Sequence, residues 1–256
     1  VTAGTKYITL GGMVANNIHG KNVKNNYFSD YIISLELISN TGKSIKCSKK
    51  LNSKIFENTI GGIGLTGVIF SVKFKLKKIK STKLIKKNIF FNNLKNVEVF
   101  DKISKGYDYS VSWLDSFSSP DSIRGIHFLT KHSKKKTYNY FNINKKKINI
   151  FHQMLFNFFN NYYFYRIVNI CFILFHLINI KKYVSFHDFF YIQDKYIDWN
   201  KLYGKKGFIE FHILVPKKNA VNFLKKFFGF CSKNKVFSNL IVLKRLKSKK
   251  KNINFK

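Results

Sequence analysis

Between residues 66 and 77 apolar and polar side chains alternate, with Val68, Phe70, Val72, Phe74 and Leu76 on one side of the pleat. A period of two over that length predicts a strand with one buried face. Stretches 30–39 and 43–48 predict two more strands, and Asn40-Thr41-Gly42 supplies the hairpin turn between them. Residues 6–10 predict a short strand running into Gly11-Gly12 and a small-residue turn, and residues 53–59 predict a short helix stopping at Gly61-Gly62.

Past about residue 80 the texture changes, and strands alternate with longer helices. Strands are predicted over 84–91, 107–115 and 125–131, and a helix over 94–104. Lysine runs at 134–136 and 145–147 bracket a solvent loop, in which the charge reads as solvated surface. A strand over 207–215 is closed by Pro216; it puts Phe208, Glu210, His212 and Leu214 on one face and Ile209, Phe211 and Ile213 on the other. A helix over 219–232, a strand over 238–246 and a basic tail over 247–256 complete the chain, which has no internal repeat. The fold class expected is α+β: a glycine-punctuated β-rich part over 1–80, then a larger part over 81–256 whose strands are antiparallel.

The aromatic stretch 154–180 is apolar enough to raise the question of a membrane. Asn157, Asn160, Asn161, Arg166, Asn169 and His176 interrupt it, and its cleanest run, 167–178, is 12 residues long. A span needs about 20. A core helix is the first reading, a helix lying in a membrane interface the second, and a true span the third.

Size and composition narrow the class. At 256 residues, 45% hydrophobic and 17% aromatic, the chain can bury a large core and is not disordered in composition. The formal charge of +35 invites a nucleic-acid reading, but Arg124, Arg166 and Arg245 are the only arginines. Base-edge and bidentate phosphate recognition favour the arginine fork. Lys, Asn, Ile and Phe are inflated together in every kind of segment, as A/T-rich codons would make them; an anionic phosphate substrate or an anionic membrane surface is the functional alternative. No nucleic-acid partner is expected. Cys47, Cys171 and Cys231 are far apart with no C-x-x-C, which argues against a disulfide framework or structural zinc and fits a reducing, cytoplasmic setting. No signal peptide is apparent, and the opening on Val1 within structured-looking sequence suggests a fragment.

The chemistry is concentrated in two glycine clusters. The first, GTKYITLGGMVANNIHGKN from Gly4 to Asn22, frames His19 with glycines. The second, TIGGIGLTGV from Thr59 to Val68, lies between a helix and a long strand. Glycine lets main chain approach a flat or phosphorylated ligand where a Cβ would collide, and each turn can offer N–H groups to phosphate or ring oxygens. Both could also be ordinary tight turns. The G-x-G-x-x-G spacing of a nicotinamide site is absent, and no spacing supports Ser-His-Asp or paired-carboxylate hydrolysis.

Taken in order, GT…T-x-GG-x-x-A-x-x-IHGKN, a hairpin, then F-x-x-TIGG-x-GLTGVI resemble the vanillyl-alcohol-oxidase-type (PCMH-type) FAD-binding oxidoreductases. Tyr109-Ser110-Val111-Ser112-Trp113-Leu114-Asp115 and the scattered set Phe190-Tyr191, Asp198-Trp199-Asn200, Tyr203-Gly204 and Gly207-Phe208 add to that resemblance. It implies that residues 1–80 are the C-terminal part of the FAD-binding domain and 81–256 an incomplete substrate (cap) domain. It assigns non-covalent FAD to Gly4, Thr9, Leu10, Gly11, Gly12, Asn16, Asn17, Ile18, His19 and Ile69. It places His19 beside the isoalloxazine, and Lys21, Tyr191 and Lys244 towards substrate. Glu210 and His212 stand where relatives carry glutamines, which makes that face ionisable. The implied activity is oxidation of a secondary alcohol on a sugar or a polyprenyl-phosphate-linked sugar. A short-chain reductase completing an epimerase is the implied partner, and the positive charge and the aromatic stretch suit peripheral membrane contact. A sugar-lactone oxidase and an inactive split remnant are the alternatives, since the pyrophosphate loop and the C-terminal strands of the family are not in this sequence.

Overall fold

The structure, a computed structural model, describes residues 1–24, 27–135, 137, 146–147, 154, 161–203, 207–238 and 240–246. The expected basic tail and most of the loop between the lysine runs lie outside the described residues. Helices and antiparallel sheets are mixed, as an α+β chain requires.

Three strands, β1 (Ile32–Ile38), β2 (Ser44–Ser48) and β3 (Val68–Phe74), form a first antiparallel sheet in the order β2-β1-β3. Its core gathers Leu35 and Leu37 of β1, Cys47 of β2, Phe56 of helix α2 (Ser53–Thr59), and Met13 and Val14 of helix α1 (Leu10–Ala15). The hairpin and α2 fall where the sequence places them. Two local readings are corrected. Residues 6–10 are not a strand; Thr9 caps α1 by accepting the Gly12 N–H at 3.1 Å, so Gly11 and Gly12 lie in a first helical turn. In β3 the expected apolar face does not hold along its length. The register slips between Glu36 and Leu37, which pair with Ser71 and Ile69, so Phe70 is the extra residue of a bulge. Ile69 faces the core before the bulge and Val72 and Phe74 after it, leaving Val68 and Phe70 outside.

The second sheet is antiparallel with order β10-β5-β6-β4-β8: β4 (Lys83–Phe91), β5 (Tyr109–Leu114), β6 (Gly125–His132), β8 (Lys181–Ser185) and β10 (Ile241–Leu243). Lys146–Lys147 (β7) and Tyr196–Ile197 (β9) make a two-residue parallel pair. Strand alternation sends neighbours to opposite faces. Leu114 and Phe91 meet Phe100 of helix α3 (Lys95–Ser104) and Phe228 of a C-terminal helix, while Trp113 and Ile126 meet Ile173 of helix α4 (Tyr162–Ile178). Phe189 and Phe190 of the short helix α5 (Phe186–Phe190) pack on Leu84 and Tyr109, and α6 (Ala220–Lys233) is the C-terminal helix.

Buried Asp115 fastens this assembly. It accepts from Arg124 Nε at 2.5 Å, Asn169 Nδ2 at 2.7 Å and the Phe117 N–H at 3.1 Å, joining the end of β5 to the approach to β6 and to α4. The aromatic helix is therefore held on the sheet by one face only. Tyr165, Asn169, Ile173 and His176 are buried, and the apolar side chains opposite them are exposed, so a core helix describes half of it. Among the described residues no helix is long and apolar enough to cross a membrane.

The expected strand over 207–215 is also corrected. These residues join no ladder among the described residues, and both faces are exposed. Phe208 packs on Trp199 and Tyr203, but no described strand receives the rest. The alternation is that of a sheet strand without a neighbour to complete it. Among the described residues of the strand expected over 238–246, three are in a ladder: β10 pairs with Leu114, Trp113 and Ser112 of β5.

Candidate functional site

The two glycine clusters lie against each other. Gly61 N–H donates to Val14 O at 3.0 Å and Ile63 N–H to Ala15 O at 2.9 Å, so the second bend is bonded to the end of α1. Gly11 rests on Ile69 of β3. The glycines are demanded by geometry: at Gly67, φ is +130° and a Cβ would sit 2.6 Å from Ile38 O. Asn16 Nδ2 donates to Gly12 O, Asn17 takes a left-handed φ of 39°, and Ile18 N–H donates to Met13 O. Leu10, Ile63 and Leu65 are exposed around this double bend, and Gly4 stands in open space.

The chain then leaves the first sheet and docks on the second. Ser110 N–H donates to Lys21 O at 2.7 Å, Val23 N–H donates to Asp108 O at 3.0 Å, and Asn22 bridges Tyr109. Residues 21–23 thus occupy the edge of β5 at its N-terminal end, while β10 occupies the same edge further along. Lys21 and Lys244, which follows β10, are brought together by sharing that strand.

The electrostatics record the convergence. Burial, then Lys244, pulls Lys21 down to about 8 from 10.5. Its ammonium donates to Phe189 O at 2.5 Å and lies 4.6 Å from the Phe189 ring centroid. Burial also lowers Lys244, with Glu210 acting against it. His19 is lowered to about 4 by burial, then by Lys244 and His212, and is neutral at pH 7. Its Nδ1 is buried without a hydrogen-bond partner. His212 Nε2 lies 3.0 Å from Glu210 Oε1, both side chains being exposed. His19, Lys21, His212 and Lys244 therefore share one field. Tyr191 sits to one side, its hydroxyl 2.7 Å from Thr2 Oγ1, next to where Gly20 runs against Val1 and Thr2.

Sequence reasoning missed Asp194. It is buried and accepts from Thr5 Oγ1 and the Lys6 N–H, both at 2.8 Å, clamping the first glycine segment to the residues after α5. An open groove of about 260 Å³ follows, lined by Thr5, Tyr7, Asp194, Tyr196, Asp198 and Trp199. The scarcity of acidic residues, 12 against 47 basic, was the available signal that each buried carboxylate has a partner. Among the described residues no cluster suits a metal ion.

These residues fit FAD. The orphaned His19 nitrogen is a polar atom awaiting a partner, and the paired glycine bends with their exposed apolar rim suit a flat ring system with polar edges.

No family model matches the chain. Over 234 residues it is 24% identical to decaprenylphosphoryl-beta-D-ribose oxidase of Mycolicibacterium smegmatis, covering 87% of this chain and 51% of that protein. Cytokinin dehydrogenase 1 of Arabidopsis thaliana is 31% identical over 72 residues, 28% of this chain and 12% of that protein. D-arabinono-1,4-lactone oxidase of Debaryomyces hansenii is 27% identical over 111 residues, 42% of this chain and 17% of that protein. The chain spans about half the length, or less, of these curated relatives. All three are oxidases or dehydrogenases, and the similarity bears out the resemblance of the glycine motifs to FAD-binding PCMH-type oxidoreductases.

Proposed function

We propose, from its kinship with the FAD-binding PCMH-type oxidoreductases, that this chain carries part of an FAD site and the substrate side of an enzyme oxidising a secondary alcohol on a sugar. The substrate favoured is a polyprenyl-phosphate-linked sugar. The observation carrying this reading is the convergence of His19, Lys21 and Lys244 beside the joined glycine bends.

Residues 1–80 act as the C-terminal part of the FAD-binding domain and 81–256 as an incomplete substrate domain. Gly4, Thr9, Leu10, Gly11, Gly12, Asn16, Asn17, Ile18 and Ile69 would hold the cofactor without a covalent bond, with neutral His19 offering its free nitrogen. FAD, when bound, supplies the acceptor for the hydride leaving the carbinol carbon. Lys244 and Lys21 draw the substrate's phosphate or hydroxyl oxygens into the seam. Burial and Lys244 lower Lys21 to about 8, so at pH 7 it is mostly an ammonium, the form that holds an anionic oxygen. Tyr191 lines the pocket, and the Glu210–His212 pair distinguishes substrates at its mouth. A short-chain reductase returning hydride to the keto product would complete an epimerisation.

The similarity to a lactone oxidase over 42% of the chain favours a second reading, oxidation of a free aldonolactone. Both are tested by loading the chain with FAD and adding each substrate without oxygen. Bleaching of the yellow flavin absorption by a prenyl-phosphate pentose alone supports the first reading, and bleaching by the lactone alone supports the second. A chain that neither quenches FAD fluorescence nor takes up the cofactor is an inactive remnant.

A further inference from the structure

The aromatic helix presents to solvent what a buried helix would hide. Tyr163, Ile167, Ile170, Leu174, Leu177 and Ile178 recur at three- and four-residue spacing on the side opposite buried Tyr165, Asn169, Ile173 and His176. Tyr163 is 75% exposed, Leu174 54% and Ile178 84%. From Tyr163 to Ile178 the stripe is about 22 Å long at 1.5 Å per residue. Asp115 pins Asn169 on the inner side, which fixes this face outward.

Charge decides what covers it. Residues 122–187 contain no Asp or Glu, although the chain has 12 elsewhere. Exposed Arg166 lies on α4, Lys181 and Lys182 follow it directly, and Lys182 Nζ reaches over the Phe175 ring at 5.2 Å. Lys86 of β4 and Lys182 repel each other across the adjoining sheet edge. A second copy would bring the same cations against these, in a chain of +35. An anionic bilayer instead offers hydrocarbon to the stripe and headgroup phosphate to its lysine border. With no helix long enough to span among the described residues, this one would lie in the interface plane.

We infer that the outer face of α4 docks the protein on an anionic lipid surface, with Tyr163, Ile167, Leu174 and Ile178 entering the headgroup boundary and Lys181 and Lys182 meeting lipid phosphates. This inference stands apart from the flavin reading, and its test needs no cofactor.

Cys171 is the exposed cysteine, lying on this helix, while Cys47 and Cys231 are buried. A solvent-sensitive dye on Cys171 of the full chain is expected to shift blue on adding phosphatidylcholine vesicles containing phosphatidylglycerol. High salt should reverse the shift, because the cationic border is screened. In cosedimentation, the Ile167→Asn/Leu174→Asn variant should bind such vesicles about tenfold more weakly or worse, since two exposed aliphatic side chains that would enter the bilayer are lost. The Lys181→Glu/Lys182→Glu variant should lose the preference for anionic lipid, and far-UV circular dichroism confirms that both variants are folded. An unshifted dye, equal binding to neutral vesicles, or a shift that follows protein concentration without lipid would each overturn the inference; the last would identify a second copy as the occupant.

Discussion

Replacing Lys21 by Met should make the protein more stable at pH 7, which is the opposite of what losing a structural side chain does. Lys21 titrates near 10.5 when unfolded and near 8 when folded, burial being the main cause and Lys244 the second. The unfolded chain therefore binds the extra proton between those values, and stability rises with pH across that window. Below pH 8 the folded protein carries the whole cost, about 3 kcal/mol at roughly 1.4 kcal/mol per pH unit. Two losses offset the gain from Met: the bond to Phe189 O and the cation–π contact with its ring, together about 1.5–2 kcal/mol. A net gain of about 1–2 kcal/mol at pH 7 remains, and it should vanish or reverse above pH 10.5, where Lys21 is neutral in both states. Urea unfolding of parent and Lys21→Met at pH 7 and at high pH measures the difference. A variant less stable than its parent at pH 7, or a difference independent of pH, refutes the assignment of Lys21 as a cation held at a cost in the seam. Stability given up at a single lysine is what a site kept for an anionic ligand looks like.

Asp115→Asn should lower stability by about 3 kcal/mol, because it strands Arg124 beside a neutral group and disturbs the bond to Asn169; the urea midpoint followed by Trp113 fluorescence reports it, and an unchanged midpoint refutes it. His127 lies buried between Ser104 and Ser112, stacked on Phe100, and burial lowers it to about 4 from 6.5. The unfolded state takes up that proton first, so stability should fall as pH drops from 6.5 towards 4, by at most about 3 kcal/mol, and His127→Gln should flatten that part of the pH profile. Gly67→Ala should cost about 1–3 kcal/mol, since φ is +130° and the new methyl meets Ile38 O; a melting temperature equal to the parent's would contradict this.

Local signals carried most of the fold. The strand readings located β1 to β6 within a few residues, β3 by its alternation, and turn residues located the first hairpin and the end of α2. The failures have physical causes. Around Gly11-Gly12 two helix-poor glycines outweighed a threonine cap and the Leu10, Met13, Val14 spacing of a one-turn helix. In β3 a bulge exchanged the faces, and a bulge is set by the partner strand, so no period within residues 66–77 could reveal it. Residues 207–215 have a strand's alternation, but pairing depends on a neighbour, which the described residues do not provide. Of the candidate site, His19, Lys21 and Lys244 were legible through motif resemblance. The role of Asp194 was not, because its partners Thr5 and Lys6 are nearly two hundred positions away.

The seam between the two sheets explains why distant lysines can act together. β5 has one free edge, and two segments share it: residues 21–23 by the bonds to Asp108 and Ser110, and β10 by pairing with Ser112 to Leu114. Fixing both against one strand holds the backbones of Lys21 and Lys244 near each other, and the repulsion between them is felt at Lys21. Glu210 offsets part of the field at Lys244, and removing a proton or admitting an anion would relieve the rest. Because the first of those segments continues directly from the glycine bends through His19, whatever lies against those bends is tied by five residues of main chain, Asn16 to Gly20, to the paired cations. That short tether, more than either cluster alone, is the physical basis for reading the seam as a place where a ring system and an anionic substrate meet.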